Sequence, residues 1–208
     1  MELIKFLKEK DPVIQLKDWT ESYNIHTIEQ CVSHCPKGEW LLWFAYKLRL
    51  CDKKIMLCNG LCANTVKEIM YPRAIECLNI AINYGYGNVT NTEIEYAEKQ
   101  YKEWGEYITS ISPVYANVFY NADSAKRASV IDANYAGFGA LSIGGSPAHY
   151  AAESTYYLEY SKSLSHSLSR DAQRQNELQT ADICREILGQ NIIDTFNKPN
   201  LCQNTILI

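Results

Sequence analysis

The chain has 208 residues with 20 Lys+Arg against 24 Asp+Glu, a formal charge of −4, so no excess of positive charge draws it to a phosphate backbone. Apolar residues make up 47% and charged residues 21%, which excludes a disordered chain and supports a packed core. Only 10 Gly and 6 Pro argue against a turn-rich sandwich and for helices, while 15 Tyr against 5 Phe and 8 Cys call for an explanation.

Residues 2–10 read as a short amphipathic helix, and the N-terminus from Met1 to Lys10 is charged throughout and lacks the apolar centre of a signal peptide. Asp11-Pro12 stops it, and a second helix is expected from Pro12 to about Ser22. Thr27 is placed to cap a third helix reaching about His34, broken by Pro36-Lys37-Gly38. Glu39 to Leu48 follows, with Trp40, Trp43, Phe44 and Lys47 at helical spacing and the two tryptophans read as core. The longest apolar run, Trp40 to Tyr46, is far too short to span a bilayer.

Asp52 opens a helix predicted to run to about Met70, and Tyr71-Pro72 ends it and starts the next, with Ala74, Ile75, Leu78, Ala81 and Ile82 as its apolar stripe. Thr90-Asn91-Thr92-Glu93 has the form of a capping box for a helix of about twenty residues, in which Ile94, Ala97, Tyr101, Trp104 and Ile108 recur at helical intervals. From Ser112 to Tyr160 alanine and tyrosine alternate, which suits helices that approach closely while tyrosines fill the remaining width. Glycines at 137–145 split this stretch into two helices. A last helix is expected over about Asp171 to Leu188, followed by a tail from 190 to 208. Strand signals are nearly absent. The predicted fold is all-α, a multi-helix antiparallel bundle with short loops, as one domain over 1–189 plus the tail.

Cys31 and Cys35 are four apart, as are Cys58 and Cys62, which places each pair on one helical face rather than at the two-residue spacing of a zinc knuckle. With no leader or span, a cytoplasmic chain with reduced thiols is expected. The run Cys31-Val32-Ser33-His34-Cys35 reads as buried thiols with His34 at a helix end, and no metal and no cofactor are expected.

Catalytic signatures are missing from the sequence: no nucleophile elbow, P-loop, zinc-protease helix or dinucleotide glycine fingerprint, and no Glu/His spacing of a di-iron bundle. His26, His34, His149 and His166 are scattered, so no catalytic residue is assigned and a non-enzyme is expected. One local arrangement has ligand-binding character, Gly144-Gly145-Ser146-Pro147-Ala148-His149-Tyr150. Ser146 suits an N-cap and Pro147 the first helical position, so free N–H groups and the positive dipole end would converge where Gly145 allows close approach. His149 and Tyr150 would add a donor and a stacking face. Candidate cationic donors are Arg73, Arg127, Arg170, Arg174 and Arg185, and the candidate ligand set is Arg73, Arg127, Gly145, Ser146, His149 and Tyr150.

Four blocks carry a resemblance: Trp40 to Lys47; Lys54-Ile55-Met56-Leu57-Cys58-Asn59-Gly60-Leu61-Cys62-Ala63; Pro72-Arg73-Ala74-Ile75-Glu76, with Gly87 to Glu93 after it; and Thr180-Ala181-Asp182-Ile183-Cys184-Arg185-Glu186-Ile187-Leu188. With the Ala/Tyr-rich stretch between the last two, the chain resembles a family of helical immunity proteins of phages and bacteria over roughly residues 2–188. The glycine break at 137–145 and the length of the tail depart from that pattern. The resemblance implies a non-catalytic protein of phage–bacterium conflict in the bacterial cytoplasm, which neutralises a protein toxin or defence effector by binding. The alternative is a phage counter-defence sponge that sequesters a nucleotide second messenger at a helix N-terminus. A third expectation is a homo-oligomeric scaffold that exchanges the apolar end, 201–208, between subunits. Nucleic acid and membrane are not expected partners.

Overall fold

A computed structural model describes residues 2–97, 99, 122–142 and 146–198. Every regular element in them is helical: α1 (Leu3–Lys10), α2 (Ile14–Ser22), α3 (Ile28–His34), α4 (Gly38–Lys47), α5 (Asp52–Asn64), a 3-10 turn (Lys67–Ile69), α6 (Pro72–Gly85), a helical stretch over 91–97, α7 (Ala122–Gly139), α8 (Pro147–Ser163) and α9 (His166–Asn197). The fold is all-α. No strand occurs among the described residues, and none of their helices is long and apolar enough to cross a membrane.

Local chemistry accounts for most boundaries. Thr27 Oγ1 accepts from the Gln30 amide while the Gln30 side chain accepts from the Thr27 amide, a reciprocal cap that starts α3. Pro72 opens α6 at a position where the missing N–H is harmless. The Glu93 carboxylate accepts from the Thr90 amide at 2.8 Å and Thr90 Oγ1 accepts from the Glu93 amide at 3.4 Å, so the expected box is formed. The later part of that helix, with Tyr101, Trp104 and Ile108, lies outside the described residues.

Two expected extents are corrected. The helix from Asp52 ends at Asn64 rather than near Met70. Thr65 turns its hydroxyl back to the Cys62 carbonyl at 2.7 Å, and the chain tightens into the 3-10 turn after Val66. The last helix starts five residues earlier than expected, where Ser165 caps it, and continues through 190–197, which the sequence pattern had assigned to the tail. Gly189 does not stop it, because that glycine lies in the α3 contact, where an added Cβ would stand 3.1 Å from Val32.

The core has two parts with α5 between them. One side gathers Phe6 from α1, Leu16 from α2, Ile28 from α3, Leu41 and Phe44 from α4, Ile55, Cys58 and Cys62 from α5, and Leu188, Ile192 and Phe196 from α9. The other joins Met56 and Ala63 of α5 to the alanine faces of α6, α7 and α8. Thus α5 is buried on opposite faces, as its small and apolar residues Cys58, Asn59, Gly60, Cys62 and Ala63 permit. Helices α7 and α8 run antiparallel, with Ser154 donating to the Ser129 carbonyl at 2.8 Å and Gly139 beside Pro147. Helix α9 returns along α8 through Gln173–Glu153 and Thr155–Ala172. Tyr160 sits buried against Ala125 and Ala128, the close packing that alternating alanine and tyrosine predict. Two contacts need glycine: a Cβ on Gly137 would meet the Ala74 carbonyl oxygen at 2.8 Å, and one on Gly38 would meet the Thr180 backbone at 2.7 Å. The second contact seats α4 directly on α9, which shapes the site described next.

Candidate functional site

A groove of about 710 Å³ lies between the α2–α3 corner and the first half of α9, with polar groups converging on it. The corner is built by Asn24, which takes a left-handed conformation (φ 53°) that asparagine tolerates. The amide of Ile25 then donates to the Thr20 carbonyl at 2.9 Å and closes the end of α2. This turn presents Trp19 and Tyr23 as one wall. Their rings are 6.1 Å apart, and Trp19 is anchored from behind by Trp40 at 5.6 Å. Tyr23 is 69% exposed.

The facing wall is one stripe of α9, Arg170, Gln173, Arg174 and Glu177, at the i, i+3, i+4, i+7 spacing of a single helical face. Lys37 neutralises Glu177 at 2.9 Å, and its ammonium also lies 5.5 Å from the Trp40 ring. Neither Arg170 nor Arg174 takes part in an ion pair among the described residues, and both are exposed. His34 and Gln30 line the α3 side; His34 Nδ1 lies 2.9 Å from the Gln30 carbonyl, and the Gln30 side chain is used by the α3 cap. The groove thus sets two free guanidinium groups one turn apart opposite an aromatic surface. Such a pair binds planar anionic groups, and the wall offers a ring a stacking face.

The residues expected from sequence to form a ligand site have the following partners among the described residues. Pro147 does open α8, but the Ser146 side chain makes no cap hydrogen bond, and Gly145 lies outside the described residues. His149 Nδ1 is 3.1 Å from the Glu39 carboxylate, so its donor is committed to an acid that repels an anionic ligand. Tyr150 packs against Tyr135 at 5.3 Å and beside the His149 ring at 5.5 Å; burial raises its phenol pKa. Arg73 pairs with Glu76 in its own helix and Arg127 with Ser124 in its own. Arg127 lies roughly 18 Å of helix away from the Gly139–Pro147 end. Arg185 is bound to the Val32 and Cys35 carbonyls and to Asp182.

Of the candidate cations, Arg170 and Arg174 line the groove. Their spacing alone was visible in the sequence; the aromatic wall opposite, some 150 positions earlier, was not.

The Glu39–His149 pair has its own consequence. The Glu39 hydrogen bond holds His149 above the ordinary histidine value against the opposing effect of burial. Burial pushes Glu39 up, but the hydrogen bond and charge of His149 more than offset it and leave the carboxyl below its usual range. The histidine contribution is complete below about pH 6.5 and disappears as pH rises through its raised pKa; the glutamate contribution holds above about pH 4.3 and disappears as pH falls. Both groups are partly exposed, so the pair is worth at most about 1 kcal/mol. Thermal melts of His149→Gln should therefore fall below wild type between those limits and converge with it at alkaline pH. Equal offsets at every pH would show that the pair does not titrate as described.

Cys31 and Cys35 are buried while His34 faces solvent, so these three do not converge on one point. Three other thiols do: the Cys58, Cys62 and Cys184 sulfurs all lie within 4.8 Å of one another. No protein-family model, curated protein or solved structure matches the chain.

Proposed function

We propose that this chain is a non-catalytic binding protein that sequesters a phosphorylated, ring-bearing small molecule of the nucleotide class in the groove between Trp19/Tyr23 and Arg170/Arg174. The observation that carries this reading is the pairing of two uncommitted arginines, one turn apart, with an aromatic wall across a cavity of small-molecule size. Phosphate oxygens would take the guanidinium forks and the base or ribose would lie on the indole and phenol faces. The groove replaces the α8 start as the proposed anion site, because the histidine there is held by Glu39.

A second reading, an immunity-type inhibitor that occludes a protein toxin or defence effector, is favoured by a different observation. Ile4 on α1 and Val13 and Ile14 at the start of α2 are exposed, Ile14 by 77%, and apolar side chains there would suit a protein partner rather than a nucleotide.

The deciding measurement is calorimetry and thermal shift on the full chain with a panel of linear mononucleotides, cyclic mono- and dinucleotides and ADP-ribose-type compounds, followed by recovery of the ligand. Sequestration predicts stabilisation by at least one class and recovery of that ligand unchanged. No shift with any member removes the nucleotide reading, and recovery of a cleaved ligand removes the non-catalytic one.

A further inference from the structure

One cluster of reactive side chains lies apart from the groove. Cys58 and Cys62 stand one turn apart on the buried face of α5, and Cys184 meets them from α9, 126 and 122 positions later in the chain. The Cys58–Cys184 and Cys62–Cys184 sulfur separations are 3.2 and 3.7 Å. All three residues are fully buried. A cation at the centre of three thiolates, about 2.3 Å from each, would space the sulfurs roughly 4 Å apart. The two Cys184 separations fall just short of that spacing, and all three sulfurs lie within 4.8 Å of one another.

We propose that Cys58, Cys62 and Cys184 form a buried trigonal site for a soft monovalent cation, copper(I). The donor set decides the metal. Three sulfurs suit a soft ion that accepts three-coordination, whereas a structural zinc site takes four N or S ligands. The nearest further groups are backbone carbonyls, Gly38 at 3.4 Å from the Cys184 sulfur and Thr180 at 3.9 Å from the Cys62 sulfur, which a soft cation does not seek. Cys31 and Cys35 belong to the same apolar core but stand outside the triangle; the Cys35 thiol donates to the Lys37 carbonyl.

Binding exchanges thiol protons for the ion and releases them to solvent. The ion would cross-link α5 to α9 at the centre of the molecule, so holding it stabilises the folded chain.

The test refolds the reduced full-length chain without oxygen in the presence of copper(I) buffered by a chromophoric chelator, which lets the ion reach a site that is sealed once folded. One copper per chain should be retained, with three sulfur neighbours at about 2.3 Å by X-ray absorption and a raised melting temperature. Cys51→Ser/Cys202→Ser and Cys31→Ala/Cys35→Ala chains should hold the ion as wild type does. Cys58→Ala/Cys62→Ala/Cys184→Ala should lose it. Failure of the refolded wild type to retain copper overturns the site, as does a nitrogen or oxygen neighbour in its absorption spectrum. So does loss of the ion with either control pair, whatever the folding of the triple variant.

Discussion

Phe196→Ala should lower stability by about 3–5 kcal/mol, which for a chain of this length is a fall in melting temperature of about 6–20 °C. Phe196 is 1% exposed and projects from the last turn of α9 into the aromatic cluster of the first core. Its ring meets Phe6 edge-on at 5.3 Å, and Phe6 in turn stacks on Phe44 at 5.8 Å and meets Trp43 at 5.9 Å. Removing the ring empties space between the first helix and the last, and the cluster behind it, Phe6 of α1 with Trp43 and Phe44 of α4, has little freedom to collapse into it. The loss is comparable to a large part of the stability of an ordinary domain. Urea denaturation of the variant measures it directly. A change below 1 kcal/mol would mean that the end of α9 does not close the core.

That position also shows where the sequence was legible and where it was not. Helix starts carried their own chemistry: Thr27 with Gln30 and Thr90 with Glu93 form side-chain caps, and Pro72 opens α6 through its fixed backbone without one. Local bonds close those starts, so local sequence reveals them. The end of α9 has no such signature. Ile192 and Phe196 remain helical because they are buried against α1 and its neighbours, and Gly189 is tolerated because α3 needs its missing side chain. Both causes are tertiary.

The site divides in the same way. Arg170 and Arg174 are visible at i, i+4, and Cys58 and Cys62 likewise, because one helix places both members of each pair. What turns each pair into a site comes from far along the chain: Trp19 and Tyr23 for the arginines, Cys184 for the cysteines. Spacing rules are blind to such partners. His149 illustrates the converse. It had the right neighbours in sequence for an anion site and was taken by Glu39, more than a hundred positions earlier.

Arg170→Glu/Arg174→Glu should weaken any nucleotide bound in the groove by about 10²–10³-fold while leaving the fold intact. A hydrogen bond to a charged group is worth roughly 1.5–3 kcal/mol, and each 1.4 kcal/mol is about tenfold in affinity. Loss of two such contacts at an exposed wall falls toward the lower end of their sum, and the introduced carboxylates add repulsion of the phosphate. Stability should stay within about 0.5 kcal/mol, since both side chains are exposed and neither has an ion pair to lose. Affinity for the wild type should also fall with added salt, and the double variant should lose that dependence. Arg73→Glu is the informative companion: its guanidinium serves Glu76 near the start of α6, away from the groove. Isothermal titration of the two variants therefore distinguishes the two locations. Undiminished binding by the double variant together with loss in Arg73→Glu would move the ligand out of the groove and toward the end of the bundle where α6 begins.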